Sequence, residues 1–271
     1  MFSKKQIEEA RELIATNTGD GVQVAILDTG IDWSHPMLEG LSRADDIGFD
    51  PNTGRAYAIE ADEPDPFGHG TAVASIIYRL APKVKLGSIR VLSGAARGAS
   101  PVVHEGAKIG IRSGYHCLHC SFGSQMLARL PSYKTWIDEA YVNSVQVVSA
   151  TSNLGATRTD YPSHFPTVLG VTGKTRAETY SLEFIEKQLI QLCLPADDFR
   201  VAWCNGSTNL VGGTSFAAPI VTALVVRLLE TWPEATPLEL KALLIQLAKG
   251  TLDLTDLLKA SGVVESVAIA K

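Results

Sequence analysis

The sequence lacks several features that would point to other classes of protein. No stretch approaches the roughly 18 consecutive apolar residues that a membrane-spanning helix needs. The N-terminal segment is charged where a secretory signal peptide has an apolar core. Basic residues are outnumbered, 24 against 29 acidic residues, which leaves a net charge of −5. These absences argue against a membrane or a nucleic acid as the main partner.

Cysteine is scarce as well. Four cysteines in 271 residues, without an export signal, indicate free thiols in a reducing compartment, and they predict a cytoplasmic protein. No internal repeat, low-complexity tract or linker divides the sequence. We therefore expect a single domain over residues 1–271, in which residues 1–20 form a helical N-terminal extension.

Buried strands alternate with helices along most of the chain. Apolar strand patterns cover residues 22–27, 84–92, 117–121 and 145–150, and helical segments lie between most of them. Residues 39–68 are rich in Asp, Gly, Pro and Asn and look like a loop. The alternation predicts an α/β fold, a three-layer α/β/α sandwich with a mostly parallel central sheet.

Polar residues follow three of these strands. Asp28 comes at the end of the first strand, Ser121 at the end of the third, and Asn153 shortly after the fourth. The carboxyl ends of parallel strands meet at the same edge of a sheet, which is where α/β proteins place functional groups. We therefore expect these side chains to lie close together.

Ser215 and His69 occupy glycine-rich turns that lead into apolar helices. Ser215 follows Gly-Gly-Thr and precedes the apolar run 220–229, with Pro219 expected in the first helical turn. A hydroxyl there lies near unpaired N–H groups and the positive end of the helix dipole, which suits a nucleophile. His69 is flanked by glycines and can take and return a proton near neutral pH. Alone, Ser215 would more often be a capping serine, His69 a surface histidine and Asp28 a turn residue.

Together, the blocks DTGID, HGT and GTSFAAP, in the order Asp, His, Ser, resemble the subtilisin-like serine proteases, or subtilases. The runs SFGS and SNLG resemble the substrate-binding strand and the oxyanion asparagine segment of that family. The resemblance implies a serine endopeptidase that acts on a protein or peptide without a cofactor. In it, Ser215 attacks the peptide carbonyl, His69 transfers the proton and Asp28 orients the imidazole, while Asn153 binds the oxyanion.

The resemblance also implies a pocket for the side chain that precedes the cut bond. Its base lies near Asp160, where broad-specificity relatives carry glycine, and a carboxylate there favours Arg or Lys. The acidic residues 60–65 add a negative field along the cleft. A cis bond is expected before Pro162. The walls of the pocket are expected to be Ser121, Phe122, Gly123, Ala150, Thr151 and Ser152.

Residues 116–120 hold four potential metal ligands, two histidines and two cysteines. Side chains alternate along a strand, so these four face opposite ways and cannot surround one ion, which favours buried thiols and a hydrogen-bonded histidine. Cys193 and Cys204 are expected on strands as core thiols. The short link 78–83 has no room for the calcium loop of many secreted relatives, so we expect no metal site.

Two alternatives to a freely active protease stay open. The first is a catalytically silent relative that binds peptides or partner proteins. The presence of all three triad residues and of the asparagine counts against it. The second is a processing or effector protease with one cellular target, which is inactive until a regulatory partner protein binds, and nothing in the sequence names such a partner.

Overall fold

The computed structural model describes residues 2–60, 63–153, 159–175 and 179–265. Its helices are α1 (Lys4–Thr16), α2 (His69–Leu80), α3 (Ser100–Arg112), α4 (Leu130–Val142), α5 (Thr214–Thr231), α6 (Pro237–Lys249) and α7 (Thr255–Ala260). Its strands are β1 (Gln23–Asp28), β2 (Ser42–Phe49), β3 (Ala56–Ala58), β4 (Lys85–Arg90), β5 (Cys117–Cys120), β6 (Gln146–Ala150), β7 (Leu169–Lys174), β8 (Ser181–Phe184), β9 (Leu192–Pro195), β10 (Phe199–Ala202), β11 (Thr208–Val211) and β12 (Leu252–Asp253).

Ten of these strands form one sheet in the order β12-β8-β9-β7-β6-β5-β1-β4-β2-β3, and β10 and β11 form a separate hairpin. Every pairing from β9 through β2 is parallel. The outer pairings, which involve β8, β12 and β3, are antiparallel. The predicted α/β fold with a mostly parallel central sheet is therefore confirmed.

Hydrophobic clusters cover both faces of the sheet. One cluster contains the buried sides of α2 and α5, and the other contains those of α3 and α4. Helix α5 has 18 residues and is long and apolar enough to cross a membrane, but 83% of it is buried inside the protein. The expectation that no stretch reaches such a length was wrong for α5, which is a core helix.

Residues 39–68 contain two strands where the sequence predicted only a loop. Strand β2 pairs in parallel with β4, with a shift of register between Arg43 and Asp46, and β3 pairs antiparallel with β2. Strand β3 is exposed along its whole length. Strand β3 lies at the edge of the sheet and β2 lies next to it. Neither strand has a continuous apolar run, so hydrophobic periodicity does not reveal them.

The N-terminal extension is attached to the helix that carries Ser215. Arg227 of α5 is buried, and its guanidinium donates to the carbonyl oxygens of Ile14 at 2.7 Å and Leu80 at 2.6 Å. Glu230 accepts the backbone N–H groups of residues 18–20 with one carboxylate oxygen. Because charged groups are buried only with partners, these contacts hold α1 firmly against α5.

Cys204 differs from the sequence expectation. Cys193 lies buried on β9, as expected, but Cys204 is half-buried in a short turn between β10 and β11. Asn205 and Gly206 in that turn have φ values of 59° and 67°. Asparagine and glycine tolerate this left-handed conformation better than other residues, so the chain reverses here instead of continuing the strand.

Two glycines bring the start of α2 against the end of β1. Gly68 precedes the helix with a φ of 91°, which favours glycine. A Cβ atom on Gly70 would lie 2.1 Å from the carbonyl oxygen of Gly30 and 3.1 Å from the Cβ of Asp28. Only a residue without a side chain allows this approach, which places His69 beside the carboxyl end of β1.

We expect Gly70→Ala to lower the free energy of unfolding by about 1–3 kcal/mol, because the added methyl group forces α2 away from β1. Urea denaturation measures the change, in a Ser215→Ala background that removes the expected nucleophile. Gly94→Ala is the matched control, since its Cβ would meet no atom closer than 3.5 Å. It should change stability by less than about 0.5 kcal/mol. Equal stabilities of the two variants would contradict the steric role of Gly70.

Candidate active site

His69 and Asp28 form a close polar pair at the carboxyl edge of the sheet. The Nδ1 atom of His69 lies 2.9 Å from each carboxylate oxygen of Asp28. Asp28 is only 1% exposed, and it also accepts the backbone N–H of Thr29 at 2.7 Å. A carboxylate can only accept, so Nδ1 carries the hydrogen and Nε2 is left to take up a proton.

A second carboxylate, that of Asp65, also affects the pKa of His69. Burial by itself lowers the pKa of His69, but the charge of Asp28, its hydrogen bond and the charge of Asp65 outweigh burial. The pKa of His69 is therefore raised above its ordinary value. Asp65 is buried, and one of its carboxylate oxygens accepts both the N–H and the hydroxyl of Thr71 in the first turn of α2.

The acidic segment 60–65, which was expected to add a negative field along the cleft, has one of its carboxylates in the interior. Its last carboxylate, Asp65, is buried under α2, where it stabilises a protonated His69. The backbone carbonyls of Glu63 and Pro64 accept hydrogen bonds from the guanidinium of Arg90, at 2.9 and 3.1 Å. Residues 61 and 62 lie outside the described residues.

The Ser215 hydroxyl lies in the first turn of α5, close to His69. Its Oγ donates to the carbonyl oxygen of Ser121 at 3.3 Å. Among the described residues, no hydrogen bond joins this hydroxyl to the ring of His69. The ring nevertheless lies 5.3 Å from the ring of Phe216, the next residue, measured between centroids. Hydrogen bonds of catalytic residues are often long in the free enzyme and tighten when substrate binds.

Pro219 accounts for a second contact of Ser215, which its backbone carbonyl makes. It is the sixth residue of α5 and not part of the first turn, so the sequence expectation was wrong on this point. Proline has no N–H to donate to the carbonyl four residues earlier, which is that of Ser215. The hydroxyl of Ser121 donates to this carbonyl instead, at 2.8 Å. The proline thus leaves the Ser215 carbonyl available to tie α5 to the end of β5.

A buried histidine extends this contact into the core. The Nε2 atom of His119 lies 2.7 Å from the Ser121 hydroxyl, and its Nδ1 lies 2.7 Å from the hydroxyl of Thr222 on α5. Since the Ser121 hydroxyl donates to Ser215, Nε2 must donate to Ser121, and Nδ1 accepts from Thr222. Burial lowers the pKa of His119 to about 3, so the ring is neutral. The sequence predicted a hydrogen-bonded histidine here but not its connection to Ser215.

The other residues of the histidine–cysteine cluster have structural roles. The Nδ1 atom of His116 accepts the backbone N–H of Gln23 at 3.0 Å. Cys117 and Cys120 are fully buried, and burial raises the pKa of both thiols. In the described part of the chain, no three His, Cys, Asp or Glu side chains are grouped as metal ligands.

Asn153 is held in one orientation by Thr214. Its Oδ1 accepts the backbone N–H of Thr214 at 2.9 Å and the hydroxyl at 3.0 Å. The same hydroxyl lies 2.6 Å from the carbonyl oxygen of Thr151. A backbone N–H needs an acceptor, which identifies the oxygen of the amide and leaves its NH₂ group for another partner. Residues 154 and 155 of the same motif lie outside the described residues.

A pocket of about 370 Å³ opens beside Ser215. Asp160, the expected base, lines this pocket, but Ala150 does not. Ala150 is the last residue of β6 and belongs to the hydrophobic core between the sheet and α5, where it is 2% exposed. Gln125 was not foreseen. The residues that line the pocket are Ser121, Phe122, Gly123, Gln125, Thr151, Ser152, Asn153, Asp160, Thr214 and Ser215.

The Asp160 carboxylate is tightly enclosed and 4% exposed. A Cβ atom on Gly123 would lie 2.5 Å from both of its carboxylate oxygens, so the glycine allows the carboxylate to close the pocket. Burial raises the pKa of Asp160, while the charge of His164 and the N–H of Ser152 partly oppose the shift. Arg158 and Arg176, the alternative partners, lie outside the described residues. The Tyr161–Pro162 bond is cis, as the sequence predicted.

Comparisons with known proteins agree with this geometry. A family model described as the subtilase family matches residues 19–264. Subtilisin BL of Lederbergia lenta is 30% identical over 233 residues, which are 79% of this chain and 80% of that protein. A cold adapted subtilisin-like serine proteinase and sphericase, both solved structures, are 23% and 24% identical, each with a TM-score of 0.68. The matches cover 84% of this chain and 82% and 83% of theirs, and they show the shared fold.

We expect His119 to make the protein less stable as pH falls from about 6.5 to 3. The unfolded chain binds a proton at the ordinary pKa of histidine, whereas the buried ring resists protonation down to about pH 3. Stability is therefore lost across this window and levels off below it. Urea denaturation at several pH values, in a Ser215→Ala background, should show a slope shallower by up to about 1.4 kcal/mol per pH unit in His119→Asn. Parallel slopes in the two proteins would refute the buried neutral ring.

Proposed function

We propose that this chain, which belongs to the subtilase family, hydrolyses peptide bonds with Ser215 as nucleophile, His69 as base and Asp28 as orienting carboxylate. Membership of the family makes it a serine endopeptidase whose substrates are proteins or peptides. The observation that carries the residue assignment is the pairing of His69 Nδ1 with both Asp28 oxygens at 2.9 Å. The ring of His69 also lies beside the ring of Phe216, the residue that follows Ser215.

The reaction follows from the proton positions. His69 Nε2 takes the Ser215 proton as Oγ attacks the carbonyl carbon, and Asp28 stabilises the resulting imidazolium. The same Nε2–H then protonates the amine as the peptide C–N bond breaks, which leaves an acyl group on Ser215. A water molecule, deprotonated by the same nitrogen, hydrolyses this ester and restores Ser215. His69 must be neutral to start, so its raised pKa moves the acidic loss of activity to higher pH than an ordinary imidazole would.

The negative oxygen of the intermediate needs preorganised donors. Asn153 supplies its NH₂ group, because Thr214 already occupies its oxygen. The backbone N–H of Ser215 is one of the first four of α5, which have no partner within a helix. Both donors lie at the positive end of the α5 dipole, which adds to the stabilisation of the oxyanion.

The Asp160 carboxylate supports a preference for Arg or Lys before the cut bond. It closes the pocket beside Ser215, and an apolar side chain would leave it buried without a new partner. A guanidinium or ammonium group would instead pair with it in a poorly solvated place. The raised pKa of Asp160 means that this preference weakens early as the solution is acidified.

A cytoplasmic location is part of the proposal. Its support is that all four cysteines are free, and that three of them are buried in the core. Such thiols fit a reducing compartment. The labelling experiment below distinguishes an active protease from a catalytically silent peptide-binding relative.

We expect Ser215→Ala and His69→Ala to lose activity to a similar, very large extent, on the order of 10⁶ in kcat as for the corresponding residues of subtilisin, because the triad acts as a unit. A fluorophosphonate probe should label the wild-type protein and not Ser215→Ala. Ser113→Ala, which removes an exposed hydroxyl at the end of α3, is the matched control and should be labelled normally. Absence of labelling in folded wild-type protein would favour the silent binding module.

We expect the wild-type protein to cleave after Arg or Lys faster than after Leu. Asp160→Lys should lower kcat/KM for an Arg substrate by about 10–100-fold while it changes a matched Leu substrate much less, since a charge-assisted contact is replaced by repulsion. Asp160→Asn should give an intermediate loss. A wild-type preference for Leu or Phe would show that Asp160 does not set specificity.

A further inference from the structure

A second pocket, of about 320 Å³, lies next to the pocket beside Ser215. Phe122 and Gly123 line both pockets, so this segment forms their common wall. We call the second one the arginine pocket, after Arg97 and Arg129 in its lining. Its lining contains none of the three residues Asp28, His69 and Ser215, and it adjoins the pocket beside Ser215 through the wall of Phe122 and Gly123.

The lining of the arginine pocket combines an apolar floor with two cations. Leu92, Val103 and Tyr133 contribute buried side chains to the floor. Arg129 is half-buried and Arg97 is exposed. Neither guanidinium forms a hydrogen bond or an ion pair with any of the described residues, and no Asp or Glu lines the pocket. Two like charges thus face one cavity without a counter-charge from the described chain.

We propose that the arginine pocket binds the carboxylate of an Asp or Glu side chain of the substrate, on the amino-terminal side of the cut. The proposal rests on the proposed function, because it takes the pocket beside Ser215 as the site of the residue that precedes the cut. Substrate residues that precede the cut occupy the pocket beside Ser215, and the arginine pocket continues from it across Phe122 and Gly123. An extended peptide advances about 6.6–6.8 Å every two residues, so one short segment reaches both pockets.

A carboxylate suits this cavity better than an apolar group. It can accept paired hydrogen bonds from a guanidinium, and it relieves the repulsion between the two arginines. A leucine side chain would cover the floor but leave both cations without a partner. The pocket beside Ser215 has the opposite charge, from Asp160, so a peptide with an acidic residue upstream and a basic residue at the cut matches both pockets. The reverse order of charges is repelled at both.

Peptides that carry Glu or its neutral isostere Gln, placed in turn two to five residues before the cut, test the proposal. Fluorescence anisotropy with the Ser215→Ala protein measures their binding without hydrolysis. At one of these positions the Glu peptide should bind about 5–10-fold more tightly than the Gln peptide, and the ratio should fall as salt is added. Arg129→Gln should bring the ratio close to one without changing the affinity for the Gln peptide. Arg97→Gln should lower the Glu-to-Gln binding ratio less than Arg129→Gln does.

Arg55→Gln is the control for net charge, since Arg55 is exposed and does not line either pocket. It should leave the Glu-to-Gln ratio unchanged. Arg129→Glu should reverse the preference in favour of a Lys peptide. Equal binding of Glu and Gln peptides at all four positions, or tighter binding of Leu than of Glu at every position, would overturn the proposal.

The binding readout separates this inference from the proposed function. Tighter binding of the Glu peptide without cleavage by the wild-type protein would contradict the protease assignment and still support a carboxylate site in the arginine pocket. Cleavage that is indifferent to Glu and Gln, together with equal binding, would leave the protease assignment intact and refute the carboxylate site.

Discussion

The hydrogen bond from the Ser121 hydroxyl to the Ser215 carbonyl joins the sheet to helix α5. It exists because Pro219 has no N–H to offer that carbonyl within α5. His119 holds the same Ser121 hydroxyl from the core and reaches back to Thr222 on α5. These hydrogen bonds hold the end of β5 against the first turns of α5. They thereby also position Ser121 in the wall of the pocket.

Burial and neighbouring charges together set the pKa values of His69 and Asp160 at the candidate site. Asp28 and Asp65 both act on His69, and their combined effect exceeds the cost of burying a protonated ring. For Asp160 the effect of burial is larger than the opposing effect of His164, so the pKa of Asp160 rises. Carboxylates of one residue type therefore act differently here. Asp28 and Asp65 raise the pKa of His69, whereas the pKa of Asp160 in the pocket is itself raised by burial.

Much of the architecture could be predicted because its signals are local. The apolar strands β1, β4, β5 and β6 and the helices between them follow from hydrophobic periodicity, and the motif blocks identified the residues gathered around Ser215. The edge strand β3 and its neighbour β2 were missed because pairing with adjacent strands, and not an apolar pattern, makes them strands. Cys204 was assigned to a strand because its short turn depends on two left-handed residues that the pattern does not show.

The sequence by itself determined the family, the alternation of central strands and helices and the identity of the residues at the carboxyl edge of the sheet, because these depend on motif and periodicity. Only the tertiary structure decided what each side chain contacts. It assigned Ala150 to the core instead of the pocket, buried Asp65 beneath His69, and connected His119 to Ser215. It also brought Arg97 and Arg129, 32 positions apart, to one cavity. Such meetings depend on how strands and helices pack across long separations, which no local pattern in the chain encodes.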